Sequence, residues 1–183
     1  MYENAIEVLK ILEKNNYQAY IVGGFPRDLY LKRKSSDVDI CTNARPKDLT
    51  NIFDDTKITN IEYGCVIVKH KGTLFALTTF RSDNNYKDFR KPESINYVDD
   101  LLEDLNRRDF IINTMCIDIN GNLIDMLDAK KDLDKKIIRT VGDSDFSGGC
   151  GRGTAGEKDS GNAERSVGWM GNRALFWNQF LSW

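Results

Sequence analysis

Two aspartates separated by one residue, Asp37 and Asp39, are the first residues in the sequence whose spacing could support chemistry. On a strand, residues two apart point to the same side, so both carboxylates would share one face while Val38 and Ile40 enter the core. Carboxylates this close repel each other unless a cation bridges them or one is protonated. Hard oxygen ligands of this kind suit Mg²⁺. A pair of solvent-facing strand residues has the same short pattern, so both interpretations are open.

A glycine pair, Gly23-Gly24, precedes the aspartates and leads into Arg27 and Asp28 in the segment GGFPRD. Without Cβ atoms, the backbone here can approach a ligand closely. A helix starting near Pro26 would present free N–H groups to a phosphate, and Arg27 could add a bidentate contact. The segment fits neither the Rossmann nor the P-loop pattern. A tight turn with a surface arginine explains it equally well.

Two basic segments could bind anions. The adjacent arginines of Arg107-Arg108-Asp109 could form an anion site at a helix junction, or they could belong to a solvated face. The run Lys32-Arg33-Lys34 could meet a nucleic-acid backbone, but basic residues are also common at an ordinary helix C-terminus. Neither segment decides a function by itself.

Hydrophobic periodicity predicts a mixed α/β frame around these residues. The predicted helices cover 3–15, 26–33, 46–53, 99–106 and 129–135, and the fourth continues or restarts through 107–115. The predicted strands cover 17–22, 37–42, 65–69 and 74–80, with two more around Asn120-Gly121. The polar stretch 81–97 is predicted to be a mobile loop. This order indicates helices packed on one mixed sheet, an α/β (α+β) architecture.

Length and composition limit the classes of protein. The chain has 183 residues, 40% hydrophobic and 30% charged, with a formal net charge of −2. These values suit one globular domain, and no apolar run reaches the roughly 20 residues of a membrane span. The N-terminus lacks the apolar segment of a secretory signal. Because the four cysteines form no CxxC pair and His70 is the one histidine, we predict reduced thiols, no zinc site and a cytoplasmic location.

The composition changes near residue 146. Isoleucine is absent after this point, and all three tryptophans lie beyond it. Residues 147–168 show no structural period and almost no aliphatic residues, so they cannot offset the entropy of ordering. We therefore expect a folded head domain over 1–143. A Gly-rich, irregular tail over 144–183 is expected to be disordered or to come from a changed reading frame.

The ordered motifs together resemble the head domain of the CCA-adding enzyme and bacterial poly(A) polymerase family. This family lies within the DNA-polymerase-β-like nucleotidyltransferases. The matching segments are YIVGGFPRDLYLKRKSSDVDICTNARP, LTTFR, EDLNRRDFIINTMCIDING and DLDKKIIRTVGD. The resemblance implies the polymerase-β-like fold and a transfer of nucleotides from ATP and CTP to an RNA 3′ end, in most members a tRNA. Pyrophosphate would be released.

The resemblance also implies roles for individual residues. Asp37 and Asp39 would be the catalytic carboxylates and would ligate two Mg²⁺ ions. The segment from Asp83 to Asp88 would lie in the family's flexible loop. The nucleotide-binding positions would be Gly23, Gly24, Arg27, Arg107, Arg108 and Asp109.

The sequence departs from the family pattern at two places. Ala76 in FALTTFR stands where many members carry an acidic residue that faces the metals. After Val141-Gly142-Asp143 the family continues into a neck helix with an EDxxR-type motif that reads the base, whereas this chain enters the Gly-rich tail. We therefore expect truncation after the head, and self-association through the exposed neck-facing surface.

Three functional interpretations follow from the sequence. The first is an RNA 3′-end nucleotidyltransferase that adds CCA to tRNA, or a poly(A) polymerase. The second is a truncated, non-catalytic remnant that is at most a weak nucleotide-binding module. The third is a small nucleotidyltransferase that modifies proteins or small molecules, although such enzymes usually carry a different glycine motif.

Overall fold

A computed structural model describes residues 1–60, 64–83 and 95–142. The helices in these ranges are α1 (Tyr2–Lys14), α2 (Gly24–Tyr30), α3 (Pro46–Ile52), α4 (Leu101–Asn106) and α5 (Ala129–Asp134). The strands are β1 (Ala19–Val22), β2 (Asp39–Thr42), β3 (Thr56–Asn60), β4 (Cys65–His70), β5 (Thr73–Thr79), β6 (Arg81–Asp83), β7 (Ile95–Tyr97), β8 (Cys116–Ile117) and β9 (Leu123–Ile124). A 3-10 turn, Ile111–Asn113, follows α4.

The strands form a seven-stranded mixed sheet in the order β3-β4-β5-β2-β1-β8-β9, and β6 pairs with β7 in a separate ribbon. Among the described strands of the large sheet, β2 and β5 run parallel and the other neighbours are antiparallel. A parallel pair requires a crossover connection, which α3, β3 and β4 provide. The mixed α/β class predicted from the sequence is confirmed.

One face of the large sheet packs against α1 and α3. The apolar residues of α1 recur at helical spacing and form a stripe that enters this core. Removing most of one of these leucines would cost about 2–5 kcal/mol through lost burial and the cavity left behind. The fully buried members of this core include Val8, Leu9, Leu12, Ile21, Ile40, Leu49, Val66, Val68 and Leu77.

The opposite face of the sheet carries a second core with α4. Its buried residues are Val22, Cys41, Phe80, Leu101, Leu105 and Cys116. Side chains alternate along a strand, so Ile40 of β2 enters the first core and Cys41 enters the second. Asp39, two residues before Cys41, therefore shares the side of the sheet on which α4 packs.

Local signals in the sequence fix the ends of several elements. Asp100 caps α4, and its carboxylate accepts from the amides of Leu102 (2.6 Å) and Glu103 (3.2 Å). The β4–β5 hairpin turns through Lys71 and Gly72, both at positive φ (48° and 78°). Such values at both central residues are typical of the tight turns that match the twist of paired strands.

The structure corrects the bounds predicted around the first motif. The helix predicted over 26–33 starts at Gly24 and ends at Tyr30. It stops because Lys32 is left-handed (φ 56°) and its amide bonds to the Leu29 carbonyl, while the Arg33 amide bonds to the Asp28 carbonyl. The strand predicted over 37–42 begins at Asp39, so Asp37 lies in the segment just before it.

Two further predictions are wrong in part, and one strand was missed. The predicted loop over 81–97 contains β6 and β7 at its two ends, and β3 was not predicted. The predicted continuation through 107–115 is reduced to the 3-10 turn. The predictions for the loop centre, 84–94, and the tail, 144–183, lie outside the described residues. Within the described ranges, no helix combines the length and apolar character needed to cross a membrane.

An ion cluster joins α1 to the β4–β5 hairpin and predicts a pH-dependent stability. The Glu7 carboxylate contacts His70 Nε2 at 2.8 Å and Lys71 Nζ at 2.7 Å, and hydrogen bonds from Lys71 and then His70 lower the pKa of Glu7. A lowered folded-state pKa stabilises the protein above the unfolded value, and the effect disappears as the pH falls through the lowered pKa. We expect Glu7→Gln to lower Tm slightly at pH 7 and progressively less in acid.

Thermal melts of both proteins at pH 7 and at successively lower pH check the prediction. Glu13→Gln is the control, because Glu13 is an exposed glutamate on the same helix. An equal loss of Tm at every pH would show that the ion cluster is not the cause.

Candidate functional site

The turn after β1 brings Gly23 beside Asp39. Val22 pairs with Asp39 in the β1–β2 ladder, so Gly23 follows directly at the end of the paired segment. Gly23 has φ 84° and ψ −134°, a conformation accessible essentially to glycine. A Cβ at this position would lie 3.6 Å from Oδ2 of Asp39. Because Gly23 has no side chain, the backbone beside the Asp39 carboxylate remains accessible to a ligand.

Gly24 and Arg27 are in contact one turn further on. A Cβ at Gly24 would lie 3.3 Å from Nη2 of Arg27, so the absence of a side chain lets the guanidinium group pack there. Arg27 is 5% exposed. It donates to Asp28 (Nε to Oδ1, 2.9 Å) and to Asn113 (Nη1 to Oδ1, 2.7 Å). The surface arginine considered for this position is thus a buried residue that joins α2 to the 3-10 turn.

Of the two aspartates in the second motif, Asp39 begins β2 and Asp37 lies two residues before it. Both side chains are exposed, and the Asp37 carboxylate accepts from Ser36 Oγ at 3.1 Å. Surrounding protein atoms remove part of the hydration of the Asp39 carboxyl, and this desolvation raises its pKa. The charge of Arg108 opposes the shift, and the charge of Asp37 adds to it. The site thus places a second carboxylate, Asp37, where its charge disfavours the ionised form of Asp39.

Ala76 is the direct neighbour of Asp39. The parallel β2–β5 ladder pairs Asp39 with Ala76, and Cys41 with Thr78. Paired residues in a ladder point to the same face, so a side chain at position 76 would emerge beside the Asp39 carboxylate. Among the described residues, no group of three or more His, Cys, Asp or Glu side chains is placed to hold a metal ion. At this place in the sheet, Asp37 and Asp39 supply two carboxylates, and the neighbouring residue, Ala76, supplies none.

The arginines of the third motif surround a buried carboxylate, Asp104. Arg107 donates to Oδ1 of Asp104 from Nε (2.9 Å) and Nη2 (2.7 Å), and Arg108 Nη2 donates to Oδ2 (2.8 Å). The Arg107 and Arg108 side chains keep 14% and 18% exposure. Arg108 is bonded to Asp104 of α4, and α4 packs on the Asp39 side of the sheet, so the arginines lie on that side. The charge of Arg108 lowers the pKa of Asp39 from there.

Asp109 has a backbone role in the structure, since its carbonyl accepts the amide of Val141 at 3.2 Å. Sequence reasoning missed two residues of this region, Asp104 and Asn113. An acidic residue three and four positions before two arginines on a predicted helix was an available signal for Asp104. Nothing local indicated Asn113, because its partner Arg27 is 86 positions away.

The matches to known proteins cover nearly the same part of the chain as the described fold. The family model for the poly A polymerase head domain matches residues 19–139. The CCA-adding enzyme of Lactobacillus johnsonii is 45% identical over 142 residues, which are 78% of this chain and 36% of that enzyme. The chain therefore spans about a third of the length of this curated relative.

Solved structures give the same result. The Bacillus stearothermophilus CCA-adding enzyme in complex with CTP superposes with a TM-score of 0.70 at 39% identity, covering 77% of this chain and 33% of the other. The Thermotoga maritima CCA-adding enzyme complexed with tRNA_CCA gives a TM-score of 0.58 at 27% identity, covering 78% and 33%. The chain belongs to the poly(A) polymerase head-domain family, as its motifs predicted.

The raised pKa of Asp39 predicts that its charge destabilises the fold. When the folded-state pKa of an acid is raised, ionisation costs stability above that pKa and costs nothing when both states are protonated. We expect Asp39→Asn to raise stability at pH 7, by no more than about 1 kcal/mol because the side chain is partly screened by solvent. The gain should disappear in acid, where the native carboxyl is neutral.

Denaturant unfolding at pH 7 and in acid measures this difference, with Asp54→Asn as the control for an exposed loop aspartate. A loss of stability at pH 7 would mean that attraction to Arg108 outweighs desolvation.

Proposed function

We propose that this chain carries the nucleotidyl-transfer site of a tRNA CCA-adding enzyme. The observation that carries the proposal is the convergence of the Gly23 turn, the Asp37–Asp39 pair and the arginines after α4 on one side of the sheet. Membership in the head-domain family supports it. The CTP and tRNA complexes solved for relatives support CTP, ATP and a tRNA 3′ end as the partners.

The donor set fits a divalent cation. Asp37 and Asp39 offer exposed, hard oxygen ligands close in sequence and at the same strand end, which is the chemistry that Mg²⁺ prefers. Mg²⁺ ions bound there would lower the pKa of the attacking 3′-hydroxyl and stabilise negative charge on the triphosphate. Relief of the repulsion between the two aspartates would favour cation binding at neutral pH.

The remaining residues of the site bind and orient the nucleotide. The open backbone at Gly23 lets phosphate oxygens approach without a Cβ, and Arg107 and Arg108 provide positive charge for them. The RNA 3′-hydroxyl attacks the α-phosphate and pyrophosphate leaves, so no protein nucleophile is needed. Catalysis in such a site comes from positioning and charge stabilisation.

Arg27 and Gly24 act indirectly in this proposal. Two protein partners already engage the Arg27 guanidinium, and Gly24 provides the space in which it lies. These contacts fix the orientation of α2 and the glycine turn. The charge of Arg27 adds to the potential at the site, while Arg107 and Arg108 supply the direct contacts.

A specific observation favours a second candidate, a nucleotide-binding module without catalysis. Ala76 places a methyl group beside Asp39, where a third carboxylate would complete a metal site. Two carboxylates hold a divalent cation less tightly than three, because affinity rises with the number of charged ligands. The two candidates therefore share nucleotide binding and differ in transfer.

An assay of nucleotide transfer separates the candidates. The chain is supplied with Mg²⁺, labelled CTP or ATP, and tRNA transcripts that lack the 3′-terminal CCA. We expect label to enter the tRNA, and we expect Asp37→Asn or Asp39→Asn to reduce the rate at least about a hundredfold, because a catalytic metal contributes several kcal/mol. Asp54→Asn serves as the matched control.

Each outcome of this assay has a meaning. Incorporation that survives both aspartate substitutions would contradict the proposed mechanism. Binding of CTP without incorporation would favour the second candidate. Incorporation of ATP alone on a transcript ending before the first C would indicate poly(A) addition.

The alanine at position 76 predicts a gain of metal affinity on substitution. Ala76→Glu would add a third carboxylate to the pair, and we expect roughly tenfold tighter Mn²⁺ or Mg²⁺ binding together with lower metal-free stability, since a third like charge adds repulsion. Titration calorimetry and thermal melts measure the two effects. Ala76→Gln is equal in length to Ala76→Glu but uncharged, so it should not tighten metal binding or add repulsion. An equal gain in metal affinity from both variants would refute the charge argument.

A further inference from the structure

The carboxylate of Asp104 is completely buried, with 0% exposure. From the described residues it accepts four hydrogen bonds: the Arg107 Nε and Nη2 groups and the Arg81 amide (3.2 Å) donate to Oδ1, and Arg108 Nη2 donates to Oδ2. An isolated buried carboxylate is strongly unfavourable, so these donors are what allow the charge to remain inside the protein. Asp104 is thus the common partner of α4, β6 and both arginines.

The side chains of Asp104, Arg107 and Arg108, here called the Asp104 cluster, carry a net charge of +1. Two adjacent guanidinium groups repel each other, and a carboxylate between them removes most of that repulsion. One positive charge remains uncompensated by Asp104. Both arginines keep a small exposed fraction, so the remaining charge is accessible from solvent.

Arg108 is held on the Asp39 side of the sheet, because it is bonded to Asp104 of α4, which packs on that side. Its Nε is buried with no acceptor among the described residues. A buried N–H without an acceptor costs free energy, so the Arg108 side chain is not fully satisfied by its protein partners. Asp104 thus holds Nη2 of Arg108, and the exposed part of that side chain is what a ligand can meet.

We propose that Asp104 is a positioning residue that orients Arg107 and Arg108 toward the phosphates of the nucleotide. This inference rests on the proposed function, because it assigns the phosphate contacts of that site to a geometry set by Asp104. Asp104 itself is fully buried and does not touch the substrate. Its effect passes through the two guanidinium groups.

A purely structural role for Asp104 has a different signature. The contact with the Arg81 amide also connects α4 to β6, so loss of the carboxylate will lower stability in either case. A structural role would weaken all ligands of the site to a similar degree. A positioning role weakens binding in proportion to the phosphates that a ligand carries.

The test therefore compares a triphosphate with the same nucleoside lacking phosphates. Calorimetry with CTP and an NMR titration with cytidine, both with Mg²⁺, are carried out on the 183-residue chain. We expect Asp104→Asn to weaken CTP binding about ten- to a hundredfold, the range typical of lost charged hydrogen bonds, and to change cytidine binding less than about twofold.

Asp132→Asn is the matched control. Asp132 is also a buried carboxylate, at 3% exposure, and it accepts two hydrogen bonds from Arg139 outside the Asp104 cluster. Its substitution should lower Tm and leave the preference for CTP over cytidine unchanged. Asp104→Glu, which keeps the charge but displaces it, should reduce that preference by an intermediate factor.

The outcomes separate a failure of the proposed function from a failure of the positioning role of Asp104. If the unaltered chain shows no preference for CTP over cytidine, the proposed function fails, and this inference fails with it. If the unaltered chain prefers CTP and Asp104→Asn keeps that preference, or loses both ligands equally, the positioning role alone is refuted. Should Asp104→Asn not fold, Asp104→Glu decides: an unchanged preference refutes the positioning role, and a reduced one supports it.

Discussion

The position of β2 between β1 and β5 is the constraint on which the site depends. Its antiparallel register with β1 sets Val22 opposite Asp39 and so places the Gly23 turn beside the carboxylate. Its parallel register with β5 sets Ala76 on the other side of Asp39. A shift of one residue in either ladder would turn Asp39 into the core and Ile40 toward solvent, which burial of Ile40 forbids. The apolar core thus fixes the polar site.

Negative charge is concentrated at the start of β2, and positive charge is concentrated after α4. Asp37 and Asp39 are exposed and repel each other, so the protein keeps a local excess of negative charge at the start of β2. Arg107 and Arg108 keep positive charge nearby, and buried Asp104 holds them together. Opposite charges are therefore held apart by the fold instead of neutralising each other directly. Under the proposed function, that separation would leave room for a cation at the aspartates and for phosphates at the arginines.

The departure at position 76 has a local structural meaning. Position 76, where the sequence resemblance implies an acidic residue, is here a small residue beside Asp39, on a strand with buried neighbouring residues. The sheet, the glycine turn and the arginine cluster are present around it. Under the proposed function, the change would therefore reduce the number of metal ligands, while the frame that would position a third ligand is intact.

Much of this frame could be predicted from the sequence because its signals are local. The stripe of α1, the Lys71-Gly72 turn and the alternation around Asp39 each lie within a few residues, and the ordered motifs identified the family. The strand β3 was missed because Thr56–Asn60 is largely polar and pairs through its backbone with β4. Only the tertiary structure could reveal the Arg27–Asn113 link, the register that pairs Asp39 with Ala76 and the burial of Asp104. Each joins segments distant in sequence or depends on which groups lose water, and sequence spacing specifies neither.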